Sequence, residues 1–263
     1  MRLMRDTGLK RKRGVLALIF RRRSIRVFGD VKPNRRVLEL VVEAGQRAPC
    51  VYQSYTVINI TSPQLRERIY ELTEDNIVRN APILFLLCID LRRTKLLFDL
   101  LSPRHVLSKS PSPIESLEAI FEAGLFAENL ILASEALGYS SVILDWPIRL
   151  GKTLQALMEI PAGVIPLFFI CMGPPGESPP PRPRLPLDMV LMDNKYVEPD
   201  MRRLAKYLDE LSEKLAAEGY LLKYVGVRST YKEYIADKIS YDKEVEKLES
   251  EVSEYLRRNG LAI

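Results

Sequence analysis

The feature of this sequence that most limits its fold is a long apolar helical pattern, "ESLEAIFEAGLFAENLILASEALG", which covers residues 115–138 and ends at Gly138. Between Ala123 and Ala133 the side chains are apolar on nearly every face of the helix, with Glu128 and Asn129 as the exceptions. A helix of this kind must be buried on most sides. We therefore expect it at the centre of a layered domain, where it also meets a second copy of the chain in a dimer.

Strand-like runs and amphipathic helical patterns surround this helix in the sequence. Strands are predicted at "YTVINIT", "PILFLLCID", "YSSVIL" and "VIPLFFICM", and the second of these is apolar along its whole length, as in a fully buried strand. Helices are predicted at "VLALIFRRR", at "KPNRRVLELVVEAGQRAP" and at "PQLRERIYEL", which Ser62 and Pro63 cap and start. These elements fit either an α/β or an α+β layered domain.

The length of 263 residues is typical of one domain with extensions at its ends. A basic arm is predicted at residues 1–14 and the main domain at residues 15–198. After the proline-rich "GPPGESPPPRPRLPLD" the sequence becomes charged and helical. Residues 199–263 are therefore expected to form a solvated helical extension rather than a second core, packed on the same domain or on a dimer partner.

Several kinds of chemistry are disfavoured by the composition. Cys50, Cys88 and Cys171 are far apart and form no CxxC pair, so neither a disulfide framework nor a zinc site is predicted, and a reducing cytoplasm fits best. His105 is the only histidine and lies in a Ser/Pro-rich segment, which disfavours a histidine-based active site. Neither GxGxxG nor GxxxxGK[ST] is present, and no apolar run is long enough to span a membrane. An enzyme with this sequence would take its reactive group from a cofactor.

Positive charge is concentrated at the N-terminal end of the chain. Up to Arg26 there are ten Lys and Arg residues against a single acidic residue, Asp6, whereas the rest of the chain is slightly acidic. This distribution indicates an anionic partner at that end, whether phosphate, nucleic acid or a membrane surface. The arm "RDTGLKRKR" thus leaves open a nucleic-acid-binding or membrane-binding module, alone or attached to an enzyme.

The segment "RRSIRVF" spaces its arginines in a way that suits a phosphate. If the segment is extended, alternate residues face the same way, and burial of Ile25 and Val27 would fix one side of it. The opposite side would present Arg22, Ser24 and Arg26, two guanidiniums that flank a hydroxyl. Such groups bind phosphate through charge-assisted hydrogen bonds. A solvated basic face is the alternative on the arginines alone.

A second basic pair, Arg182 and Arg184, stands in the proline-rich "PPPRPRLP". The prolines stiffen the backbone, so little entropy is lost when these arginines are held against an anion. A polyproline ligand for an SH3-like partner is the alternative, because the string contains PxxP beside an arginine.

The order and spacing of five segments resemble the nitroreductase family of FMN-dependent oxidoreductases, in particular its NADPH-using flavin reductase and major nitroreductase branch. The segments span roughly residues 20–200 and are "RRSIRVF", "AGQRAPCVYQSYTVINITSPQLRERI", "NAPILFLLCIDLRR", "AGLFAENLILASEALGYSSVIL" and "GVIPLFFICMGPPGESPPPRPRLPLDMVL". The resemblance implies an α+β fold with a mainly antiparallel central sheet flanked by helices, an FMN-binding domain at residues 15–198, and a homodimer with its two active sites at the interface.

The resemblance also implies a set of FMN contacts. The "RRSIR" segment is similar to the family's phosphate-binding segment, and Arg184 resembles an arginine that reaches the same phosphate. Arg182 stands where the family usually has a lysine near flavin N1. Gln53 matches the family glutamine, and Asn76 lies near the amide residue that hydrogen-bonds the pyrimidine edge of the ring. The expected cofactor-binding residues are Arg22, Arg23, Ser24, Arg26, Cys50, Gln53, Asn76, Leu144, Asp145, Arg182 and Arg184.

Two segments depart from the family pattern. The loop "APCVYQ" is a few residues shorter than in the family, which usually carries a run such as SSSN between Ala-Pro and Gln. Where the branch has a glycine-rich "GGVYIGG", this chain reads "SSVILDW", with Asp145 and Trp146 at the usual glycine pair. The bulkier residues are expected to narrow or reshape the ring pocket. A core or interface role for Trp146 is the alternative.

The activity implied by the resemblance follows from the cofactor. Hydride passes from NAD(P)H to flavin N5 and then to an acceptor such as a nitroaromatic, a quinone or free flavin, in a ping-pong scheme that needs no acid, base or metal from the protein. Lys223 resembles a branch position that contacts the 2′-phosphate of NADPH, with Arg228 nearby. A flavin fold with a different, specialised reaction is the alternative, given the altered "SSVILDW".

Overall fold

The computed structural model describes residues 14–31, 33–101, 112–239 and 243–261 of the chain. The predicted basic arm, except for Gly14, and the segment that carries His105 lie outside these residues. The chain divides into two compact units, of which the first contains Met1–Ser178 and Lys247–Ile263 and the second contains Pro179–Glu246. The boundary predicted between residues 198 and 199 falls inside the second unit.

Within the described residues, one antiparallel sheet of four strands forms the centre of the first unit. The strands are β1 (Tyr55–Asn59), β2 (Ile83–Asp90), β3 (Ser140–Leu144) and β4 (Val164–Gly173), in the spatial order β1-β2-β4-β3. All four coincide with strands predicted from the sequence. β2 is buried at every position because it lies between β1 and β4 and is covered on both faces.

Helices flank the sheet, and the second unit is helical after a largely irregular stretch at residues 179–200, which confirms the α+β class. In chain order they are α1 (Val15–Arg21), α2 (Arg35–Gly45), α3 (Pro63–Thr73), α4 (Asn76–Asn80), α5 (Leu91–Leu101), α6 (Pro113–Ala136), α7 (Trp146–Leu157), α8 (Met201–Ala217), α9 (Tyr220–Tyr224), α10 (Tyr231–Ile239) and α11 (Lys243–Arg258). Ser62 caps α3 as predicted, because its hydroxyl accepts the Leu65 amide at 3.2 Å. Among the described residues no helix is both long and apolar enough to cross a lipid bilayer.

Two apolar cores lie on the two faces of the sheet. Successive side chains of β2 point to opposite faces, so Phe85 and Leu87 join the core that contains α2 and α6. Leu84 and Leu86 join the other core, which contains α3, α4 and α7. Each of these side chains is almost wholly buried, which stabilises the fold by about 1.5–3 kcal/mol apiece.

The central helix α6 is buried on one face and exposed on another. Phe126 and Leu130 are enclosed in the core, as the apolar pattern predicted. Within residues 123–133 only Gly124 and Glu128 are exposed, whereas Ile114, Leu117 and Phe121, before this centre, are 68%, 61% and 53% exposed. This apolar face is the one that the dimer prediction assigns to a second copy.

The end of α11 belongs to the core of the first unit. Tyr255 and Leu261 are buried there with residues of α2 and α6, so this end of the predicted extension packs on the main domain instead of being solvated on all sides. The reason is local packing: Gly151 of α7 has no side chain, and the Tyr255 ring occupies the space that a Cβ would take. The buried Asn259 adds polar contacts, since its Oδ1 accepts from Gln155 Nε2 at 2.8 Å and from the Gly163 amide at 3.1 Å.

We predict that Asn259→Ala lowers the free energy of unfolding by about 2 kcal/mol, because it leaves the donors of Gln155 and Gly163 without this acceptor. Arg257→Ala, at an exposed position of the same helix, is the matched control and should change stability by less than about 0.5 kcal/mol. Urea unfolding followed by circular dichroism measures both. Equal effects from the two variants would contradict the role given to Asn259.

Candidate functional site

The segment predicted to bind phosphate runs as an extended strip beside β3. The Ile25 amide donates to the Ser141 carbonyl at 3.0 Å, and Ser24 pairs with Ser141 in a parallel bridge. Ile25 is buried as expected, but Val27 is 44% exposed, so the expectation that it is buried is wrong. The strip leaves β3 after Ile25 and continues along residues 175 and 176, where Phe28 rather than Val27 packs against the core.

The side chains of this strip separate into two groups. Arg22, Ser24 and Arg26 are half-buried, and Arg26 Nη1 lies 3.5 Å from the Ser24 carbonyl oxygen, which keeps its guanidinium close to the strip. Arg23 instead donates from Nη1 to Ser178 Oγ at 3.4 Å. The alternation of the arginines stays a prediction, because Arg22 lies close enough to Glu135 of α6 for its charge to lower the pKa of that carboxyl.

Arg23 lines a cleft of about 710 Å³ together with Arg21, Glu135 and Glu177. Oε1 of Glu177 accepts the backbone amide of Arg26 at 2.7 Å. Burial raises the pKa of Glu135, while the charges of Arg22 and Arg21 lower it. The cleft thus holds carboxylates beside its guanidiniums, which makes it a poor receptor for a phosphate.

The altered segment "SSVILDW" ends β3 and begins α7. Leu144 is half-buried, and Asp145 is exposed at the N-terminal cap of α7, where its side chain makes no capping bond. Trp146 packs against the core and donates from Nε1 to Asp75 Oδ2 at 3.1 Å, which agrees with the core role considered for it.

The same aspartate brings the predicted Asn76 close to this segment. Oδ1 of Asp75 accepts the Ile77 amide at 2.9 Å and so caps α4, whose first residue is Asn76. The Asn76 side chain is exposed, and its Oδ1 accepts from Arg79 Nη2 at 2.7 Å. One carboxylate therefore ties the start of α4 to the end of β3.

The short loop after α2 is held by a buried carboxylate that sequence reasoning missed. Glu122 of α6 is wholly buried, and its Oε2 accepts the Ser54 amide at 2.7 Å. Its Oε1 accepts the amides of Val51 and Tyr52, the second at 2.7 Å. The sequence does place this glutamate directly before the apolar centre of the helix. Because glutamates are rarely buried unless they are paired, that position could have indicated a carboxylate with hydrogen-bond partners.

The carbonyl groups of the same loop are held by Arg93, at the start of α5. Its Nη2 donates to the Gln53 carbonyl at 2.6 Å and to the Tyr55 carbonyl. Ser54 Oγ and Thr94 Oγ1 are 2.8 Å apart and share a hydrogen bond. The predicted contacts Cys50 and Gln53 have exposed side chains.

The remaining predicted residues belong to the second unit. Arg182 makes two hydrogen bonds to the Glu218 carboxylate, at 2.7 and 3.3 Å, and lies 4.1 Å from the centre of the Tyr220 ring. Arg184 donates to the Pro183 carbonyl at 3.0 Å. Of the residues predicted to contact NADPH, Lys223 donates to the Tyr224 hydroxyl at 2.7 Å and Arg228 lines a small pocket of about 190 Å³.

We predict that one thiol reacts quickly in the native protein at pH 8. Cys50 is exposed, whereas Cys88 and Cys171 are buried, and burial raises the pKa of Cys88 to about 12 and also raises that of Cys171. Since the thiolate is the reactive form, the two buried thiols should label only after unfolding. A chromogenic disulfide assay with and without denaturant measures this. Cys50→Ser should abolish the fast reaction, and two fast thiols in the native protein would contradict the prediction.

Comparison with known proteins agrees with this geometry. The model of the nitroreductase family matches residues 19–174. The oxygen-insensitive NADPH nitroreductase of Salmonella typhimurium is 26% identical over 250 residues, which cover 94% of this chain and 98% of that protein. An NADPH-dependent oxidoreductase of Staphylococcus aureus strain MRSA252 is 30% identical over 190 residues, which cover 69% of this chain and 74% of that protein.

Solved structures share the fold at lower identity. Nitroreductase A from Vibrio parahaemolyticus superposes with a TM-score of 0.78 at 21% identity, over 94% of this chain and 97% of that chain. The NADPH:FMN oxidoreductase from Vibrio harveyi, complexed with NAD+, gives 0.77 at 20% identity with the same coverage.

Proposed function

This chain belongs to the nitroreductase family and is an NAD(P)H-dependent oxidoreductase, and we propose that its cofactor is FMN. The observation that carries the proposal is the anchored strip beside β3, which presents Arg22, Ser24 and Arg26 as a phosphate-binding group. Two guanidiniums that flank a hydroxyl can bind a phosphate through charge-assisted hydrogen bonds.

The spacing along β3 fits the length of FMN. Ser24 pairs with Ser141, and the ring segment begins at Leu144, three residues further along the strand. At about 3.3 Å per residue this is roughly 10 Å. A ribityl chain that joins a phosphate to a flavin ring has a length of the same order. The strip and the end of β3 can therefore hold the two ends of one FMN.

The chain's own residues bind and orient the cofactor. Arg22, Ser24 and Arg26 would hold the phosphate, while Gln53 and Asn76 would bond to the edge of the ring. Cys50, Leu144 and Asp145 would lie against the ring. For Arg23, Arg182 and Arg184, and for Lys223 and Arg228 at the coenzyme, the roles stay predictions from the family resemblance.

The chemistry that bound FMN supplies is two-electron hydride transfer at flavin N5, from NAD(P)H and then to an acceptor such as a nitroaromatic, a quinone or free flavin, in a ping-pong scheme. In such a scheme the protein binds and orients the cofactor and the reactants and sets the electrostatic environment, and it does not have to supply an acid or a base. We propose a homodimer as the active form, supported by the exposed apolar residues Leu16, Phe20, Ile114, Leu117 and Phe121 of α1 and α6.

We predict that the purified protein, incubated with FMN and desalted, keeps the absorbance bands of oxidised flavin at one FMN per chain. Light scattering should give twice the chain mass of 30.1 kDa. Under anaerobic conditions NADPH should bleach the bands, and a quinone or a nitroaromatic should restore them. Protein that never retains FMN would overturn the cofactor assignment. Flavin that NADPH bleaches but no acceptor reoxidises would indicate a specialised reaction instead.

We predict that Arg22→Ala raises the Kd for FMN by about 10-fold to 100-fold, because it removes a charge-assisted contact to the phosphate. Arg21→Ala is the matched control, since Arg21 is the adjacent exposed arginine, in the last turn of α1, and is not assigned to the phosphate. It should change the Kd less than about threefold. Titration followed by flavin fluorescence measures both, and an equal loss in the two variants would sink the phosphate assignment.

A further inference from the structure

The loop at residues 50–55 has a backbone that cannot hold its shape by itself. Gln53 has a φ of +55°, in the left-handed region that residues other than glycine rarely adopt. Such strain persists only where the surroundings determine the conformation, and it is common at functional sites. Something outside the loop must therefore fix it.

Two groups of opposite charge fix the loop from outside. The wholly buried Glu122 carboxylate accepts three of its amides, those of Val51, Tyr52 and Ser54. The Arg93 guanidinium donates to two of its carbonyls, those of residues 53 and 55. The Glu122 carboxylate thus accepts hydrogen bonds from N–H groups of the loop, and the Arg93 guanidinium donates hydrogen bonds to its C=O groups. Both kinds of bond are charge-assisted.

Glu122 and Arg93 form a clamp on the backbone of the loop, and this clamp leaves several side chains of the loop facing outward. Cys50, Val51 and Gln53 are exposed, while Ser54 is buried and bonded to Thr94. The backbone bonds thus point into the protein, and the side chains that face outward include the two expected to contact the flavin. This is the arrangement of a binding loop whose contacts are supported by a second layer of hydrogen bonds.

We infer that Glu122 and Arg93 are positioning residues for the flavin ring, which they serve by holding residues 50–55 in the conformation that binds it. The inference rests on the proposed function, because it assumes that the ring lies against this loop. It also gives a physical reason why a loop a few residues shorter than usual can still present a defined surface.

Glu122→Gln is the sharpest test because it keeps the volume of the side chain. The carboxylate uses both oxygens as acceptors, whereas a glutamine offers one oxygen and one NH₂ group. Either the amides of Val51 and Tyr52 or the amide of Ser54 must then face the NH₂ group instead of an oxygen. Arg93→Met is the second variant; its side chain is 47% exposed, so the protein should fold even if Glu122→Gln does not. Glu128→Gln and Arg92→Met, exposed neighbours on α6 and α5, are the matched controls.

Hydrogen–deuterium exchange in the FMN-free protein reads the loop directly. We expect exchange at the amides of residues 51, 52 and 54 to rise by about tenfold in Glu122→Gln and to rise in Arg93→Met, with no change in the controls. The Kd for FMN should rise by about tenfold in Glu122→Gln, and the visible circular dichroism of the bound flavin should change in both variants. The loss of FMN-binding free energy in the double variant should be smaller than the sum of the losses in the two single variants, because both residues act on one loop.

The outcomes separate this inference from the proposed function. Faster exchange with an unchanged FMN affinity and an unchanged flavin spectrum would overturn the positioning role and leave the FMN assignment standing. Equal effects in the control variants would also overturn it. A wild-type protein that binds no FMN would overturn the proposed function and this inference with it.

Discussion

The packing of α6 against the sheet determines where both halves of the candidate site lie. The helix buries Phe126 and Leu130 in the core, which fixes its position. Near its middle it carries Glu122 to the loop after α2, and near its end it carries Glu135 to the cleft beside the extended strip that contains Ser24. Thirteen residues of helix separate these two glutamates by about 20 Å. A single rigid element therefore sets the distance between the loop and the strip.

Carboxylates hold the backbone at each part of the site. Glu122 accepts three amides of the loop, and Glu177 accepts the amides of Arg26 and Val27 in the strip. Asp75 caps α4 and accepts the indole N–H of Trp146. Because these acids satisfy the backbone, the side chains on the outer surface are left to bind a ligand. Each of these acids thereby stabilises the backbone that carries the proposed binding residues.

The sequence predicted the elements well because their signals are local. The apolar run of β2, the Ser62 cap and the apolar centre of α6 each depend on neighbours within a few residues. The misses depend on partners that are distant in sequence. Val27 is exposed because residues 175 and 176 redirect the strip, and Tyr255 is buried because Gly151 leaves room for its ring. Glu122 was missed for the same reason, since the amides that it accepts are some 70 positions away along the chain.

The replacement of the usual glycine pair changes the charge of the site more than its volume. Trp146 is large, but its ring packs against the core and bonds to Asp75, so its bulk is used to join β3 and α4. Asp145 is small and exposed, and its carboxylate has no capping bond to α7. The new feature at the end of β3 is therefore an anionic side chain beside the segment where the family resemblance expects the ring. The Asp145 carboxylate repels any negative charge that develops close to it, whereas a glycine at this position would carry no charge.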